Sequence, residues 1–363
     1  MEMSNKFQVE MFPATNGDCF WVSYENKGQN HNILIDGGTA GTFKEIHKKI
    51  LSLSPDHQYI DLLVITHIDN DHIAGILKIF EDPELQNITF GDIWFNGWRH
   101  LPSSGYEEFG VRQGERLSSY IDSHSFPWNS LFKKLAVSIN TPGSLPIINL
   151  DDDMKITLLS PYTEHLVNLQ PIWREECKNA GLDPSEPPPE PKMYDGYERF
   201  GPIDVDELAK TKFISDKKEA NGSSIAFLME FKDKRILFAG DAFPDVLAKS
   251  IQVILDERNI NKLDLDMFKV PHHGSKANIN KNLISKVKCS RYLFSTNGTT
   301  HGHPNAEAIA RVLKHGKHGN FPTELVFNYK TPYNRIWDNQ GLKDTYNYYV
   351  WFPKSGKHHT LRL

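Results

Sequence analysis

The sequence predicts a mixed α/β fold in which two β-sheets pack face to face and helices cover their outer sides. Apolar and polar residues alternate at residues 7–11, as they do in a strand with one buried face. Two pairs of apolar runs are joined by short polar turns, at residues 25–28 and 232–234, which is typical of β-hairpins. Apolar residues recur every three or four positions at residues 43–53, which indicates an amphipathic helix between strands.

The predicted elements follow one another along the whole chain. Strands are predicted at residues 7–11, 19–24, 32–35, 60–65, 88–96, 154–159, 224–231, 235–239, 267–270, 292–295, 324–329 and 346–352. Helices are predicted at residues 43–53, 73–80 and 306–313.

We expect residues 1–320 to form one domain with two insertions, and residues 321–363 to form a C-terminal β extension of that domain. The first insertion, at about 97–148, is rich in aromatic residues. The second, at about 163–220, contains a proline-rich run that excludes a helix interior. Two interpretations of the insertions stay open, flaps over a functional site or inert surface. The tail either extends a sheet or serves self-association.

The composition excludes several classes of protein. No apolar run approaches the length of roughly 20 residues that a membrane span needs, and the first residues show no secretory signal. The three cysteines lack metal-ligand spacing, so we expect free thiols in a reducing, cytoplasmic compartment. The formal net charge of −5 gives no general attraction to nucleic acid, so any such binding must use a local basic patch.

The most informative segment is a short loop that holds two histidines and two aspartates. It contains His67, Asp69, Asp71 and His72, directly after a mostly apolar strand and directly before a predicted helix. The end of a buried strand is where α/β proteins place their chemistry. Imidazole and carboxylate groups this close together favour a bound cation, because otherwise they repel one another or are poorly solvated. The alternative is a solvated acidic turn in which Asp71 caps the helix.

The same arrangement recurs downstream, where strand after strand ends in aspartate or histidine. Asp36 follows the strand at 32–35, and Asp241 follows the strand at 235–239. A pair of histidines, His272 and His273, follows the strand at 267–270, and His303 follows the strand at 292–295. Because such residues are predicted at one edge of a sheet, we expect a shared site.

These motifs together resemble the metallo-β-lactamase superfamily, and most closely the hydrolase domain of the DNA-uptake channel protein ComEC and its soluble relatives. The resemblance covers about residues 7–315. It lies in HxDxDH at residues 67–72, Asn-Gly-Asp-Cys at 16–19, Asn-x-x-Ser at 221–224, Gly-Asp-Ala at 240–242, Val-Pro-His-His-Gly-Ser at 270–275 and Gly-His-Pro at 302–304.

The resemblance implies an αββα sandwich that hydrolyses its substrate through a metal-activated water. One or two divalent ions, Zn²⁺ or Mn²⁺, would bind to six residues: His67, Asp69, Asp71, His72, Asp241 and His273. In this pattern Asp241 bridges the two ions. Asp36 would orient a ligand histidine. Asp71, His272 and His303 are the residues implied in catalysis, the two histidines through the oxyanion that develops in the reaction.

The sequence departs from the wider family at one ligand. The histidine that usually lies between the HxHxDH loop and the Gly-Asp motif is not evident here. Asn221 and Ser224 occupy that region, as in the ComEC-like branch, and His165 lies nearby in a less typical context.

The predicted function is a metal-dependent phosphodiesterase that acts on DNA or RNA. Besides the motifs, it rests on a basic segment, residues 269–291, which holds six lysines and arginines and no acidic residue. The alternative for that segment is a solvated helix face. Two other functions stay open: hydrolysis of a small phosphodiester, nucleotide, lactone or lactam, and a non-catalytic interaction module with a structural metal. The sequence predicts neither an oligomeric state nor a protein partner.

Overall fold

The computed structural model describes residues 6–53, 58–102, 115–141, 143–182, 203–316, 319, 321–354 and 358–363. The chain divides into two compact units. Unit 1 comprises Met1–Ser138, Tyr162–Pro191 and His358–Leu363, and unit 2 comprises Ile139–Pro161 and Lys192–Lys357.

Unit 1 is built on a six-stranded sheet with the strand order β14-β1-β2-β3-β4-β5. Its strands are β1 (Phe7–Met11), β2 (Phe20–Asn26), β3 (Gln29–Ile35), β4 (Tyr59–Val64), β5 (Thr89–Trp94) and β14 (His359–Arg362). Its helices are α1 (Phe43–Leu51), α2 (Asn70–Glu81), α3 (Arg116–Ser123), α4 (Thr163–Leu169) and α5 (Trp173–Asn179). β3, β4 and β5 run parallel, so their carboxyl ends meet at one edge of the sheet.

Unit 2 is built on an eight-stranded sheet with the strand order β13-β12-β11-β10-β9-β8-β7-β6. Its strands are β6 (Ile147–Asn149), β7 (Met154–Ser160), β8 (Ala226–Phe231), β9 (Lys234–Phe238), β10 (Leu263–Lys269), β11 (Val287–Phe294), β12 (Thr323–Phe327) and β13 (Tyr348–Trp351). Its helices are α6 (Val205–Lys210), α7 (Glu219–Gly222), α8 (Pro244–Arg258), α9 (Lys281–Ser285), α10 (Ala306–His315), α11 (Pro332–Arg335) and α12 (Gln340–Tyr346). Strands β9 to β13 are parallel, which again gathers carboxyl ends at one edge.

The predicted mixed α/β class, with two sheets and helices, is confirmed. Each predicted strand and helix overlaps an observed one. One long helix, α8, is absent from the predicted elements, although its sequence begins with Pro244 and repeats apolar residues at helical spacing. None of the helices in the described parts of the chain combines the length and the apolar character needed to cross a bilayer.

Residues 115–138 of the aromatic insertion belong to unit 1 and pack against its sheet. Trp128 is 2% exposed, and its indole nitrogen donates a hydrogen bond to the carbonyl of Phe95 at 2.7 Å. The Asp92 carboxylate, on β5, accepts hydrogen bonds from the backbone N–H groups of Ser130 and Leu131 at 2.9 and 3.0 Å. Trp128 and the backbone of residues 130–131 therefore pack against the end of β5. The proline-rich run at 184–191 lies outside the described residues.

The tail contributes strands to both sheets. β12 and β13 extend the sheet of unit 2, and β14 pairs with β1 in unit 1. The cysteines also agree with the expectation of thiols: Cys19, Cys177 and Cys289 are all buried, and no disulfide joins them. Burial raises the pKa of the Cys19 and Cys289 thiols, which keeps both protonated.

Candidate metal centre

In unit 1 the sheet brings Asp36 next to the His67–His72 loop. Asp36 follows β3, and Thr66 and His67 follow β4, its parallel neighbour. The Asp36 N–H donates to the carbonyl of Val64 at 2.8 Å, which ties the two strand ends together. Asp36 has a left-handed backbone, with φ of 55°. Such a conformation is costly for a residue other than glycine and persists where the surroundings fix it.

The Asp36 carboxylate holds His72 in one orientation. Its Oδ1 accepts from the Thr66 N–H and its Oδ2 from the Thr66 hydroxyl, both at 2.8 Å. Oδ2 also accepts from Nδ1 of His72 at 2.7 Å. With Nδ1 bound to a carboxylate, Nε2 is the nitrogen that can bind a metal, as in most metal-ligating histidines. The predicted role of Asp36 in orienting a ligand histidine therefore has the required geometry.

Neither of the two aspartates at the start of α2, Asp69 and Asp71, caps the helix with its side chain. Asp69 is the N-cap residue, and its side chain makes no capping hydrogen bond. Asp71 lies inside the first turn, and its Oδ2 accepts from the Asn16 side chain at 2.9 Å. The alternative in which Asp71 caps the helix in a solvated turn is therefore wrong, because Asp71 is not the cap and His67 and His72 beside it are buried.

The distances within this loop match those between two ligands of one ion. Nε2 of His67 lies 3.4 Å from Oδ2 of Asp69. That separation exceeds the usual hydrogen-bond range. Two ligands bonded at about 2.0–2.2 Å to one ion are roughly 3–4 Å apart. The rings of His67 and His72 lie 4.2 Å apart between centroids, so both imidazoles share the same small volume.

Close backbone contacts hold the loop in place. A Cβ on Gly75, in α2, would lie 2.0 Å from the carbonyl oxygen of Gly37. A Cβ on Gly17, in the loop between β1 and β2, would lie 1.7 Å from the carbonyl oxygen of Asp71. Only glycine permits either approach. The neighbouring Asp18 is 1% exposed, and one of its carboxylate oxygens lies within 4.8 Å of a ring nitrogen of His72.

In unit 2 the loop after β10 places His273 beside Asp241. His272 and His273 both have left-handed backbones, with φ of 48° and 55°. Two adjacent strained residues are uncommon and typical of functional sites. Nδ1 of His273 donates to the carbonyl of Ser295 at 2.9 Å, which directs Nε2 towards Oδ2 of Asp241, 3.5 Å away. This spacing again fits two ligands of one ion.

Asp241 is held by its backbone and by a buried lysine. Its N–H donates to the hydroxyl of Ser224 at 3.1 Å, which gives the serine of the Asn-x-x-Ser motif a structural role. Lys269 is 1% exposed, donates to the carbonyl of Gly240 at 2.9 Å, and lies 3.8 Å from Oδ1 of Asp241.

His272 also faces the Asp241 carboxylate, and its ring is held by polar contacts that the sequence does not reveal. Its Nε2 is 3.7 Å from Oδ2 of Asp241, and its Nδ1 lies 2.9 Å from Oδ1 of Asn278 and 3.4 Å from Oδ2 of Asp216. Burial opposes ionisation of Asp216, but hydrogen bonds from His272, from the Lys218 N–H and from other groups outweigh it and lower the Asp216 pKa. Asp216 lies at the end of the predicted second insertion, where nothing in the sequence marks it.

His303 lies close to His272, and the centroids of the two rings are 5.3 Å apart. Its side chain is largely buried, at 9% exposure for the residue. Burial, together with the neighbouring imidazoles, lowers the His303 pKa well below its ordinary value. A neutral imidazole has one N–H donor and one acceptor.

The residues in place of the missing family histidine have other partners. The Asn221 side chain donates to Oδ2 of Asp216 at 2.7 Å and lies 3.5 Å from Nδ1 of His272. It therefore braces the His272 network. His165 lies in α4 of unit 1, and the centroid of its ring is 6.3 Å from that of Tyr162.

The basic segment is largely neutralised by acids from elsewhere in the chain. Lys276 pairs with Glu307 at 3.3 Å, Lys288 with Asp264 at 3.2 Å, and Arg291 with Glu324 at 3.3 Å. Lys269 is buried beside Asp241. These acidic partners all lie outside residues 269–291, so the sequence of the segment alone does not reveal the pairing. Among the described residues, no carboxylate lies within ion-pair distance of Lys281, which is exposed.

A protein-family model described as the metallo-beta-lactamase superfamily matches residues 13–290. The match spans well over half of the 363 residues, so the chain belongs to the metallo-beta-lactamase superfamily. No curated protein matches the sequence significantly.

Several solved structures resemble the chain at low identity. The metallo-beta-lactamase fold protein YhfI from Bacillus subtilis is 11% identical over 98% of this chain and 100% of its own, with a TM-score of 0.43. CmlA, a diiron β-hydroxylase from Streptomyces venezuelae, is 13% identical over 100% of this chain and 55% of its own, with a TM-score of 0.41. The metallo-β-lactamase MIM-1 from Novosphingobium pentaromativorans is 13% identical over 84% of this chain and 92% of its own, with a TM-score of 0.28. The family assignment therefore rests on the family model.

Proposed function

We propose that the chain is a metal-dependent phosphodiesterase. Its metal ligands in this proposal are His67, Asp69, Asp71 and His72 of unit 1 and Asp241 and His273 of unit 2. They hold one or two divalent ions, Zn²⁺ or Mn²⁺. The metallo-β-lactamase superfamily to which the chain belongs is rich in metal-dependent hydrolases, and the HxDxDH motif at residues 67–72 resembles that of the ComEC-like branch.

The observation that carries this proposal is the nitrogen-to-oxygen spacing within each unit. The His67–Asp69 distance of 3.4 Å and the His273–Asp241 distance of 3.5 Å are both too long for good hydrogen bonds and both suitable for ligands of one ion. In each unit a second group fixes a ligand ring, Asp36 for His72 and the Ser295 carbonyl for His273. Such outer partners are typical of metal sites.

The donor set favours phosphoryl chemistry. Asp69 takes the place of a histidine in the usual HxHxDH loop, so the set has one more carboxylate. Carboxylate donors favour harder ions such as Mn²⁺. When bound, such ions polarise a phosphoryl oxygen and lower the pKa of a water molecule.

The chain's own residues then position the substrate and its charge. His272 and His303 donate hydrogen bonds to a non-bridging phosphoryl oxygen, where negative charge develops. Asn278 and Asp216 hold the His272 ring through Nδ1, which leaves Nε2 on the side of the Asp241 carboxylate, 3.7 Å from its Oδ2. His272 and His303 thus act on the substrate, and Asp216 and Asn278 act through His272.

DNA or RNA is the first substrate class and a small phosphodiester the second. The motif resemblance favours nucleic acid. The pairing of Lys276, Lys288 and Arg291 with carboxylates favours the smaller substrate, because these residues offer little free positive charge to a polyanion. The packed state of Trp128 removes one reason to expect an enclosed apolar ligand pocket in the aromatic insertion.

The test is metal-dependent turnover by the purified protein. The metal content is measured first, and the chelated protein is then supplied with Mn²⁺ or Zn²⁺ and assayed on bis(p-nitrophenyl) phosphate and on single- and double-stranded DNA and RNA. We expect Asp71→Ala and Asp241→Asn to abolish turnover. Asp61→Asn, which changes a carboxylate on β4 bound to His31, is the matched control. Turnover by Asp71→Ala at the rate of the unmodified protein contradicts the proposal, as does a protein that binds no metal.

A further inference from the structure

The loop between β1 and β2 carries a carboxylate outside the ligand set proposed above. Asp18 is 1% exposed, although a carboxylate is among the groups least often found so deeply buried. One of its oxygens lies within 4.8 Å of a ring nitrogen of His72. Two ligands of one ion, each bonded at about 2.0–2.2 Å, are at most about 4.4 Å apart. The Asp18 carboxylate is therefore close to the distance that shared coordination requires.

The loop is built to approach the ligand residues. Gly17 is glycine because a Cβ would lie 1.7 Å from the carbonyl oxygen of Asp71. The Asn16 side chain donates to Oδ2 of Asp71 at 2.9 Å. The turn itself is closed by the Gly17 N–H, which donates to the carbonyl of Ala14 at 3.0 Å. Residues 16 and 17 thus contact the start of α2, and Asp18 follows them directly in the chain.

The charge in this region favours a divalent cation. Asp36 and Asp18 are both close enough to Cys19 to raise the pKa of its thiol, in addition to the larger effect of burial. The carboxylate oxygens of Asp36 already accept hydrogen bonds from Thr66 and His72. A second buried carboxylate beside the same imidazole adds negative charge, and buried charges are paired or coordinate metals.

We propose that Asp18 is a further metal ligand, which binds the same ion as His72 through its carboxylate. This inference rests on the proposed metal centre. It gives the Asn-Gly-Asp-Cys sequence a direct role in metal binding. Because carboxylate favours harder ions, Asp18 shifts the selectivity of the site towards Mn²⁺ over Zn²⁺.

Metal binding by Asp18→Asn, measured independently of activity, tests this proposal. The change keeps the shape of the side chain and removes its charge. We expect the affinity for Mn²⁺, measured by competition with a chelator, to fall about tenfold or more. The affinity for Zn²⁺ should fall less. The d–d absorption spectrum of the cobalt(II)-substituted protein should change, since it reports the ligand set directly. Asp61→Asn is the control and should alter neither affinity nor spectrum.

The outcomes separate this inference from the proposed function. A protein that binds no metal before any substitution overturns both. Unchanged Mn²⁺ affinity and an unchanged cobalt spectrum in Asp18→Asn overturn the role of Asp18 alone, even if thermal stability falls. If Asp18→Asn does not fold, Asp18→Glu is used instead. It keeps the carboxylate but displaces it by one methylene, so metal should still bind and the cobalt spectrum should shift. An unchanged spectrum in Asp18→Glu overturns the proposal.

Discussion

Nδ1 of His72 lies 2.7 Å from Oδ2 of Asp36, and neither side chain has any exposed surface. A second pair in the same sheet has the same geometry: Nδ1 of His31 lies 2.7 Å from Oδ1 of Asp61, but both side chains are 18% exposed. The two pairs differ in their surroundings, since only the first adjoins the His67–His72 loop. They offer a direct comparison between an imidazole in the proposed ligand set, His72, and one outside it, His31.

Asp36→Asn should weaken metal binding without unfolding unit 1. Asparagine tolerates the left-handed backbone at this position, with φ of 55°. It loses the charge that strengthens the hydrogen bond to His72, so we expect a loss of about 10–100-fold in metal affinity. The affinity is measured by competition with a chelator, and folding by circular dichroism. Asp61→Asn serves as the control. Equal affinity in the two variants contradicts the orienting role.

Metal should stabilise the folded protein through the ligand loop. A metal that binds only the folded state adds about 2.7 kcal/mol when its concentration is 100 times the dissociation constant. We expect Mn²⁺ or Zn²⁺ to raise the melting temperature of the chelated protein, and His67→Ala to lose most of this rise. The exposed His124, changed to alanine, is the control. A rise of the same size in His67→Ala means that the stabilising ion binds elsewhere.

Gly17→Ala should disturb the start of α2 through a backbone clash. The new methyl group would lie 1.7 Å from the Asp71 carbonyl oxygen, so the loop must move. Overpacking of this kind costs about 1–3 kcal/mol. Gly41→Ala is the matched control, because its new methyl group would have Oγ1 of Thr39 as its nearest neighbour, 3.9 Å away. Urea unfolding measures the free energy of unfolding of each variant. The contact is unimportant if the two variants have equal stability and equal metal affinity.

Glu230 should make the stability of unit 2 depend on pH. Burial disfavours its charge, but Arg258 and Lys155 outweigh this and lower its pKa from 4.5 to about 2. Arg258 donates two hydrogen bonds to its oxygens, at 2.8 and 2.7 Å. Because the folded pKa is the lower one, the stabilisation is complete above pH 4.5 and is lost as the pH falls towards about 2.

Glu230→Gln should therefore lose about 1–3 kcal/mol of stability at neutral pH, and the loss should shrink as the pH falls below the ordinary glutamate range. The free energy of unfolding is measured at several pH values against the unmodified protein. Glu257→Gln changes an exposed residue next to Arg258 and is the control. A difference that does not vary with pH means that the lost stability is not linked to ionisation of Glu230.

Lys281 tests whether the basic segment contributes to substrate choice. If nucleic acid is the substrate, Lys281→Glu should weaken its cleavage, with the salt dependence of binding reduced by about one phosphate contact. Hydrolysis of a small phosphodiester should be spared. Lys288→Glu is the control, because Lys288 is paired with Asp264 at 3.2 Å. Equal loss on both substrates indicates damage to the nearby His272–His273 turn. No loss on either favours a small phosphodiester.

The strand ends are predictable from the sequence because two signals coincide there. A buried strand such as β4 has a continuous apolar run, and the residues that follow it change abruptly to His67, Asp69 and His72. Such local signals do not depend on distant parts of the chain. The placement of Asp36 beside a ligand histidine is implied by the family resemblance, and in the structure it results from the parallel pairing of β3 with β4, which end at the same edge.

What the sequence does not show depends on contacts between distant segments. Asp216 meets His272, and Lys276 meets Glu307, across many residues of intervening chain. No spacing rule identifies such partners. The aromatic insertion is ambiguous in the sequence for a related reason. A high density of aromatic residues is common to ligand pockets and to small cores, and only the packing of Trp128 against β5 distinguishes them.

The pairing of β14 with β1 constrains the order in which the chain can fold during synthesis. β1 is the first described strand to leave the ribosome, and its neighbour β14 is the last. One edge of the unit 1 sheet therefore stays open while all of unit 2 is being translated. An open edge can pair with strands of other molecules. Until β14 has emerged and paired with β1, nascent chains should thus be more prone to aggregate and more dependent on chaperones.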